Sequence, residues 1–267
     1  MPTSCSAETL LIEGADAMAF AHAQFSSKVS SLSVGQWQFS AWLDPQGRVR
    51  ALFHLMRIAD ERFMLLLRGG DAPAIAEALR RFVFRAKLSL TALPSRSLAT
   101  GPALPLHAID DDGATLSLGC GTHSLRILEP DMGDNDWQSL QVRAGWPWLP
   151  AQALNMLLPG ALSLQRLQAV AVDKGCYPGQ EIVARLHFRH GHKRHLHSVT
   201  LSQATYAGDV LRDDGRDAGC VLNMADANDG IEALVVLGDE VAARADENGT
   251  ISLDGGLVLH LRTSWPA

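Results

Sequence analysis

The segment Asp173-Lys174-Gly175-Cys176-Tyr177-Pro178-Gly179-Gln180-Glu181 is the most unusual stretch of the chain. Two glycines and a proline around one cysteine predict a tight, irregular turn, because glycine admits backbone angles that other residues avoid. A nearby ammonium group stabilises a thiolate and lowers the pKa of the thiol. Cys176 and Lys174 are therefore candidate functional residues. The alternative is that Cys176 is a small, buried apolar residue in a structural turn.

The residues after the turn predict a regular element. Glu181 is followed directly by Ile182 and Val183, which is typical of a helix or strand that begins right after the loop. A carboxylate at the start of a helix is also electrostatically favourable.

The composition is that of a folded, acidic protein. The 267 residues include 23 Lys and Arg and 29 Asp and Glu, with a net charge of −6 and 47% hydrophobic residues. This excludes a disordered chain and argues against unspecific binding to nucleic acid. Lysine occurs only at positions 28, 87, 174 and 193. Where arginine is the default cation, a lysine two residues before the cysteine indicates that a compact, titratable ammonium is required.

The N-terminal segment and the cysteines predict a cytoplasmic protein. Three acidic residues precede the first basic residue, Lys28, whereas a signal peptide begins with positive charge and continues with an uninterrupted apolar segment. No apolar run approaches the ~20 residues that span a bilayer, so no membrane partner is expected. The cysteines at 5, 120, 176 and 220 lack C-x-x-C spacing. They indicate free thiols in a reducing compartment, without disulfides or a permanently bound metal.

Alternating strand and helix patterns over the first hundred residues predict an α+β module. Asp44-Pro45-Gln46-Gly47 predicts a turn between two strands, because proline presets φ and glycine supplies the open end. Asp71 is placed to cap the helix that follows it. The predicted elements are strands over 9–12, 36–43, 48–58, 63–67 and 88–92, and helices over 16–25 and 73–85, the second with Ile75, Leu79, Phe82 and Val83 on one buried face.

The second part of the chain changes character near residue 190. A proline-rich stretch over 94–105 predicts a connection, and strands over 115–118 and 124–128 with a helix over 135–144 weakly repeat the first pattern. From about residue 198, short strands between Asp, Gly and Asn clusters predict a small all-β barrel or sandwich. We expect an α+β domain over 1–190, with related halves over 1–105 and 106–190, and a β-barrel domain over 191–267.

The octapeptide Lys174-Gly175-Cys176-Tyr177-Pro178-Gly179-Gln180-Glu181 resembles the K-G-C-Y-x-G-Q-E signature of YgfZ-type folate-binding proteins. These are relatives of the glycine-cleavage aminomethyltransferase, the T-protein. The resemblance continues through Ile182-Val183-Ala184-Arg185 and includes Pro45-Gln46-Gly47-Arg48-Val49 in the N-terminal half. Supporting similarity over 35–36, 40–42, 143–147, 152–155 and 188–189 extends it to most of the chain.

The resemblance implies a fold, partners and a site. The implied fold is α+β, with a two-part T-protein-like folate-binding region followed by a small C-terminal β-barrel in a cloverleaf arrangement. The implied partners are tetrahydrofolate or another folate derivative and iron–sulfur enzymes, including tRNA-modifying ones, whose assembly or maintenance the protein supports. Cys176 and Lys174 are the implied functional centre. The residues expected to shape the loop or bind the cofactor are Tyr177, Gly179, Gln180, Glu181, Arg185, Trp146 and Trp148.

Two alternative functions are a folate-dependent aminomethyltransferase and a non-catalytic binding module. The first depends on positions at which this sequence departs from the T-protein pattern. Its strand after the Pro45 turn carries paired carboxylates, whereas Arg48-Val49-Arg50-Ala51-Leu52-Phe53 contains no acid. A general acid or base is therefore missing, which disfavours a folate-dependent aminomethyltransferase. Likewise Leu154-Asn155-Met156-Leu157 replaces the family's L-N-x-D, and Gln24-Phe25-Ser26-Ser27-Lys28 replaces a stretch that usually contains Asn-Asp. The other alternative is a non-catalytic folate-binding module whose cysteine turn only holds the lobes together.

Five histidines lie within eleven positions, at 187, 190, 192, 195 and 197. Three converging imidazoles would bind a metal, but Arg189, Lys193 and Arg194 repel a cation, so we expect a solvated connector without metal. With Arg185, these residues form a cationic patch, which is a candidate site for RNA phosphates or a folate glutamate tail as well as an ordinary hydrated surface.

Trp146-Pro147-Trp148 places two indoles on a stiff loop. Such residues are typical of core or interface anchors. The functional alternative is that a folate pterin or benzoyl ring stacks on Trp146 or Trp148.

Overall fold

Three sheets and few helices make up the chain in the computed structural model, which describes residues 6–189, 191–227 and 230–266. The first elements are β1 (Ser6–Ala7), β2 (Thr9–Glu13), α1 (Ala17–Gln24), β3 (Gln36–Leu43), β4 (Val49–Ala59), β5 (Arg62–Leu67), α2 (Ala72–Arg80) and β6 (Ser89–Ala92). Next come β7 (Arg96–Gly101), β8 (Ile109–Asp111), β9 (Leu116–Gly119), β10 (Ser124–Leu128) and α3 (Asp136–Ala144). The last are α4 (Gln180–Arg189), β11 (Arg194–Leu201), β12 (Val210–Asp213), β13 (Arg216–Ala227), β14 (Gly230–Gly238), α5 (Asp239–Ala242), β15 (Thr250–Ser252) and β16 (Val258–Trp265).

The first sheet has the strand order β3-β4-β5-β2-β6 and confirms the five strands predicted for this region. Helices α1 and α2 share one apolar core with it, because the strands alternate apolar side chains toward that face. The core includes Leu10, Ile12, Phe20, Phe53, Ile75 and Leu79. The turn between β3 and β4 is also confirmed: the Asp44 carboxylate accepts the backbone N–H of Arg48 at 2.8 Å, and Gly47 has φ +79°.

Asp71 caps α2 as predicted. Its carboxylate accepts the backbone N–H of Ala74 at 2.7 Å. Replacing Asp71 with alanine is expected to lower the free energy of unfolding by about 1 kcal/mol, because that N–H loses its acceptor. Urea denaturation measures the change, and Asp71→Asn is the matched control, since asparagine caps equally well. Equal losses in the two variants would contradict the capping role.

The prediction that the second helix continues to residue 85 is wrong, because α2 ends at Arg80. The backbone N–H of Phe82 bonds to the carbonyl of Leu79, and that of Val83 to the carbonyl of Arg80, in tight turns that close the helix. Arg85 then adopts φ +60°. Phe82, expected on the same helix face as Ile75 and Leu79, is consequently 45% exposed, and Val83 is half-buried.

The second sheet has the strand order β1-β7-β10-β9-β8. The stretch over 94–105 is therefore not only a connection, since it contains β7, which pairs with both β1 and β10. Its prolines at 94, 102 and 105 lie outside the strand, where no ladder N–H is lost. The Trp37 indole of β3 donates to the carbonyl of Gly119 in β9 at 3.0 Å and so joins the first two sheets.

The C-terminal strands form one antiparallel sheet of order β12-β13-β14-β11-β16-β15. Among the described residues no pairing joins the two edge strands, β12 and β15. The sheet is therefore a curled half-barrel, whereas a small closed barrel or sandwich was predicted. Its apolar face has its own core, which includes Val199, Leu211, Val221, Val235, Ile251 and Leu259.

The described residues group into two compact units. The first comprises those of Met1–Leu43, Arg50–Trp137 and Gln168–Pro178, and the second those of Asp44–Val49, Gln138–Leu167 and Gly179–Ala267. The chain therefore passes from one unit to the other within the octapeptide, between Pro178 and Gly179. The division into domains over 1–190 and 191–267 stays a prediction. In the described part of the chain, every helix is too short or too polar to cross a membrane.

Candidate functional site

The Lys174 ammonium is held by backbone carbonyl groups at the end of α1. It donates to the carbonyl oxygens of His22, Phe25 and Ser27 at 2.6, 2.5 and 2.9 Å. The last carbonyls of a helix lack partners within the helix and carry partial negative charge. The His22 carbonyl is one of them, because the N–H of Ser26 bonds to Ala41 instead.

This geometry explains why lysine occupies position 174. An ammonium has three donors on one compact centre, which match three converging carbonyl oxygens, whereas the guanidinium of arginine is planar. Burial lowers the pKa of Lys174 to about 8, while the carbonyl oxygens favour the charged form. The side chain is therefore mostly protonated at neutral pH and titrates closer to neutrality than an ordinary lysine.

A second set of contacts fixes the segment that leads into the loop. The Ser26 hydroxyl donates to the carbonyl of Ala169 at 2.7 Å, and the backbone carbonyl of Ser26 accepts the N–H of Ala171 at 2.8 Å. The buried Ser27 hydroxyl donates to the Ser40 hydroxyl at 2.7 Å. In the sequence, Ser26 and Ser27 stand out only as part of a stretch that replaces the Asn-Asp of relatives, yet in the structure they anchor the loop. Nothing in their spacing identifies partners more than a hundred residues away.

Tyr177 stabilises the loop through its hydroxyl group and its ring. Its ring is buried, its hydroxyl donates to the Ala171 carbonyl at 2.9 Å, and the Lys174 Nζ lies 4.9 Å from its ring centroid. Burial raises the pKa of Tyr177 to about 12, so the hydroxyl remains a neutral donor. The structure thus brings Lys174 and Tyr177 together. The nearby ion pair of Lys28 with Asp173, at 3.4 Å, is exposed and contributes little to the stability of the loop.

Cys176 is exposed at the tip of this anchored loop. It is therefore not the buried apolar residue that the alternative interpretation required. The other described thiols, Cys120 and Cys220, are partly buried, and burial raises the pKa of each to about 11. Thiolate chemistry requires solvent access. Among the described cysteines, Cys176 is the one whose environment suits it.

Gly179 opens the second unit with a close backbone contact. Its φ is +79°, and a Cβ at this position would lie 2.5 Å from the Asp44 carbonyl oxygen and 2.8 Å from the Gly47 Cα. Both constraints require glycine. Gly175, by contrast, has open space where its Cβ would be.

The remaining predicted site residues lie in the second unit. Gln180 begins α4, which confirms that a regular element follows the turn. Glu181 is in its first turn, where a carboxylate stabilises the helix, and Arg185 is exposed one turn further on. Trp146 and Trp148 are half-buried in the loop after α3, and the backbone N–H of Trp148 donates to the Asn223 side chain at 3.1 Å.

Comparison with known proteins decides the family. No protein-family model matches the chain. An uncharacterized protein of Haemophilus influenzae is 30% identical over 195 residues, covering 68% of this chain and 67% of that protein. An Escherichia coli protein named tRNA-modifying protein YgfZ is 26% identical over 269 residues, covering 86% of this chain and 82% of its own length. The chain belongs to the YgfZ family.

A solved structure supports the fold of this YgfZ-family chain. It is the glycine cleavage system aminomethyltransferase T from Bartonella henselae, with a TM-score of 0.73 and 18% identity, covering 96% of this chain and 82% of that one. The mixed α and β architecture expected from the resemblance is therefore shown. In this YgfZ-family chain, the signature combines the anchored Lys174, the exposed Cys176 and Gly179, whose backbone angle and close contacts require glycine.

The histidines near this signature do not converge in the described part of the chain. His192 lies against Gly160, His195 bonds to Asp239 at 2.5 Å, and His197 bonds to Ser264. His190 lies outside the described residues. The one grouping of three potential ligands found there is Asp213, Asp214 and Asp254. In that grouping Asp214 and Asp254 are exposed, and Asp254 accepts two backbone N–H groups.

The cationic patch is only partly available. Arg185, Arg189 and Lys193 are exposed, whereas Arg194 forms an ion pair with Asp217 at 3.2 Å. Its role in binding RNA or folate stays a prediction.

Proposed function

We propose that the protein is a folate-binding accessory protein that supports the assembly or maintenance of iron–sulfur enzymes, including tRNA-modifying ones, through Cys176. Membership of the YgfZ family and the T-protein-like fold support the folate and tRNA parts of this proposal. The single observation that carries the cysteine part is an exposed thiol on a loop fixed by three lysine–carbonyl hydrogen bonds. A thiolate that ligates a cluster transiently needs this combination of access and fixed position.

Tetrahydrofolate is the proposed small-molecule partner. The half-buried indoles of Trp146 and Trp148 suit a flat aromatic ligand, because stacking needs a ring that is held and partly accessible. We assign no group-transfer step to this chain, because the strand over 48–53 supplies no acid. The cloverleaf arrangement, the domain boundary near residue 190 and the cytoplasmic location belong to the same proposal.

Replacing Cys176 with serine is expected to abolish complementation of a bacterial strain that lacks its own YgfZ. Serine keeps the size of the side chain and removes the thiolate, so the fold remains and the chemistry is lost. Growth and tRNA modification levels measure the loss, and circular dichroism checks the fold. Cys220→Ser is the matched control, because its partly buried thiol has a raised pKa. Full complementation by Cys176→Ser would refute the proposal.

The aminomethyltransferase alternative has a direct test. Turnover of an aminomethyl donor in the presence of tetrahydrofolate would establish it, and the acid-free strand predicts no turnover. An exposed thiol that reacts with iodoacetamide no faster than free cysteine, together with full complementation by Cys176→Ser, would instead favour the non-catalytic module.

A further inference from the structure

The turn that follows α2 exposes aromatic side chains. It comprises Arg81-Phe82-Val83-Phe84-Arg85-Ala86-Lys87 and is called the aromatic–basic turn below. Phe84 is 78% exposed and Phe82 is 45% exposed. Two large aromatic side chains exposed within three residues are unusual on a soluble surface and indicate an interaction site.

The cations of the aromatic–basic turn are not neutralised. Arg81, Arg85 and Lys87 are exposed, and none of them forms an ion pair with a carboxylate of the described residues. The carboxylate of Glu77 is occupied by Arg80. The turn therefore presents concentrated positive charge on a chain whose net charge is −6.

The turn also presents stacked planar groups. The Arg85 guanidinium carbon lies 5.1 Å from the ring centroid of Phe84. The rings of Phe82 and Trp42 are nearly perpendicular, with centroids 6.2 Å apart, and the Arg50 guanidinium carbon lies 4.1 Å from the centroid of the Trp42 ring. Bases of single-stranded nucleic acid stack on aromatic rings and on guanidinium planes, while lysine and arginine contact the phosphates.

We propose that the aromatic–basic turn binds single-stranded RNA, with Phe84 as the stacking platform and Arg81, Arg85 and Lys87 on the phosphates. This inference deepens the proposed function and rests on it for the choice of nucleic acid. An anionic membrane fits less well, because Arg85 lies on the Phe84 ring and would have to enter the apolar layer with it. The site differs from the patch formed by Arg185, Arg189, Lys193 and Arg194, which belongs to the second unit.

Fluorescence anisotropy with a labelled oligouridylate of about 12 nucleotides tests the proposal on the full chain. Phe84→Ala is expected to weaken binding about tenfold, since one base loses its stacking partner. Phe84→Trp should preserve binding, whereas Phe84→Leu should weaken it about as much as Phe84→Ala does, because leucine is apolar without a π face. Tyr206→Ala is the control, since Tyr206 is 76% exposed and lies in the second unit.

The contribution of the positive charges is measured separately, from the salt dependence of RNA binding. The double variant Arg81→Gln, Lys87→Gln is expected to reduce the slope of log affinity against log salt by about 1.4, because each phosphate contact on a single strand contributes about 0.7. An unchanged slope would remove these residues from the phosphate contacts.

Three outcomes overturn the inference. They are undetectable RNA binding, equal weakening by Phe84→Ala and Tyr206→Ala, and preserved binding in Phe84→Leu. Binding of phosphatidylserine vesicles that depends on Phe84, without RNA binding, would replace RNA by a membrane. Failure here is distinguishable from failure of the proposed function: Cys176→Ser should bind RNA normally, and full complementation by that variant with Phe84-dependent RNA binding would remove only the cysteine proposal.

Discussion

Replacing Lys174 with methionine is expected to lower the free energy of unfolding by about 3 kcal/mol. Methionine keeps the apolar stem of the side chain but donates no hydrogen bond. The carbonyl groups of His22, Phe25 and Ser27 then lose their common donor. A carbonyl left without a partner in a partly buried position costs roughly 1 kcal/mol or more, and the end of α1 loses a favourable positive charge.

Chemical denaturation of the wild type and the variant measures this difference. Lys174→Arg is the matched control, because arginine keeps the charge but its planar donors match the three oxygens less well. We expect it to lose about half as much stability as Lys174→Met. A stability in Lys174→Met equal to that of the wild type would show that water replaces the ammonium at these carbonyls.

Replacing Gly179 with alanine is expected to lower the free energy of unfolding by about 3 kcal/mol. A residue with a Cβ pays about 1–2 kcal/mol to adopt φ +79°. The remainder comes from displacing the β3–β4 turn, because the new Cβ would lie 2.5 Å from the carbonyl oxygen of Asp44.

The octapeptide supplies its own control for this prediction. Gly175→Ala should change stability by a few tenths of a kcal/mol at most, since nothing lies within 4 Å of its Cβ position. Thermal and urea unfolding of both variants provide the comparison. Similar losses at positions 175 and 179 would contradict a steric requirement for Gly179.

Most of the strands were predictable because each carries a local signal. The β3–β4 turn is one example, since Asp44, Pro45 and Gly47 constrain the backbone within a few residues. The end of α2 was not predictable in the same way. Phe82 and Val83 continue the apolar helical spacing, but the backbone turns away after Arg80, and periodicity cannot distinguish an exposed phenylalanine from a buried one.

The sequence singles out the residues of the candidate site but not the partners that these residues contact. The composition of the octapeptide indicated an irregular turn with a cysteine and a special lysine. The local sequence pattern, however, suggests the Cys176 thiol as the nearest partner for Lys174, whereas the structure shows three carbonyl groups near the end of α1. Those contacts depend on the path of the chain between residues 27 and 174, which no local pattern specifies.

The lysine anchor also constrains how the protein folds during synthesis. Ser27 and Lys174 are 147 residues apart. At 5–20 residues per second, the ribosome needs roughly 7 to 30 s to deliver the lysine after the serine. During this time the carbonyl groups at the end of α1 lack the Lys174 ammonium. A nascent chain truncated before residue 174 should therefore be more sensitive to protease at this helix than the released protein.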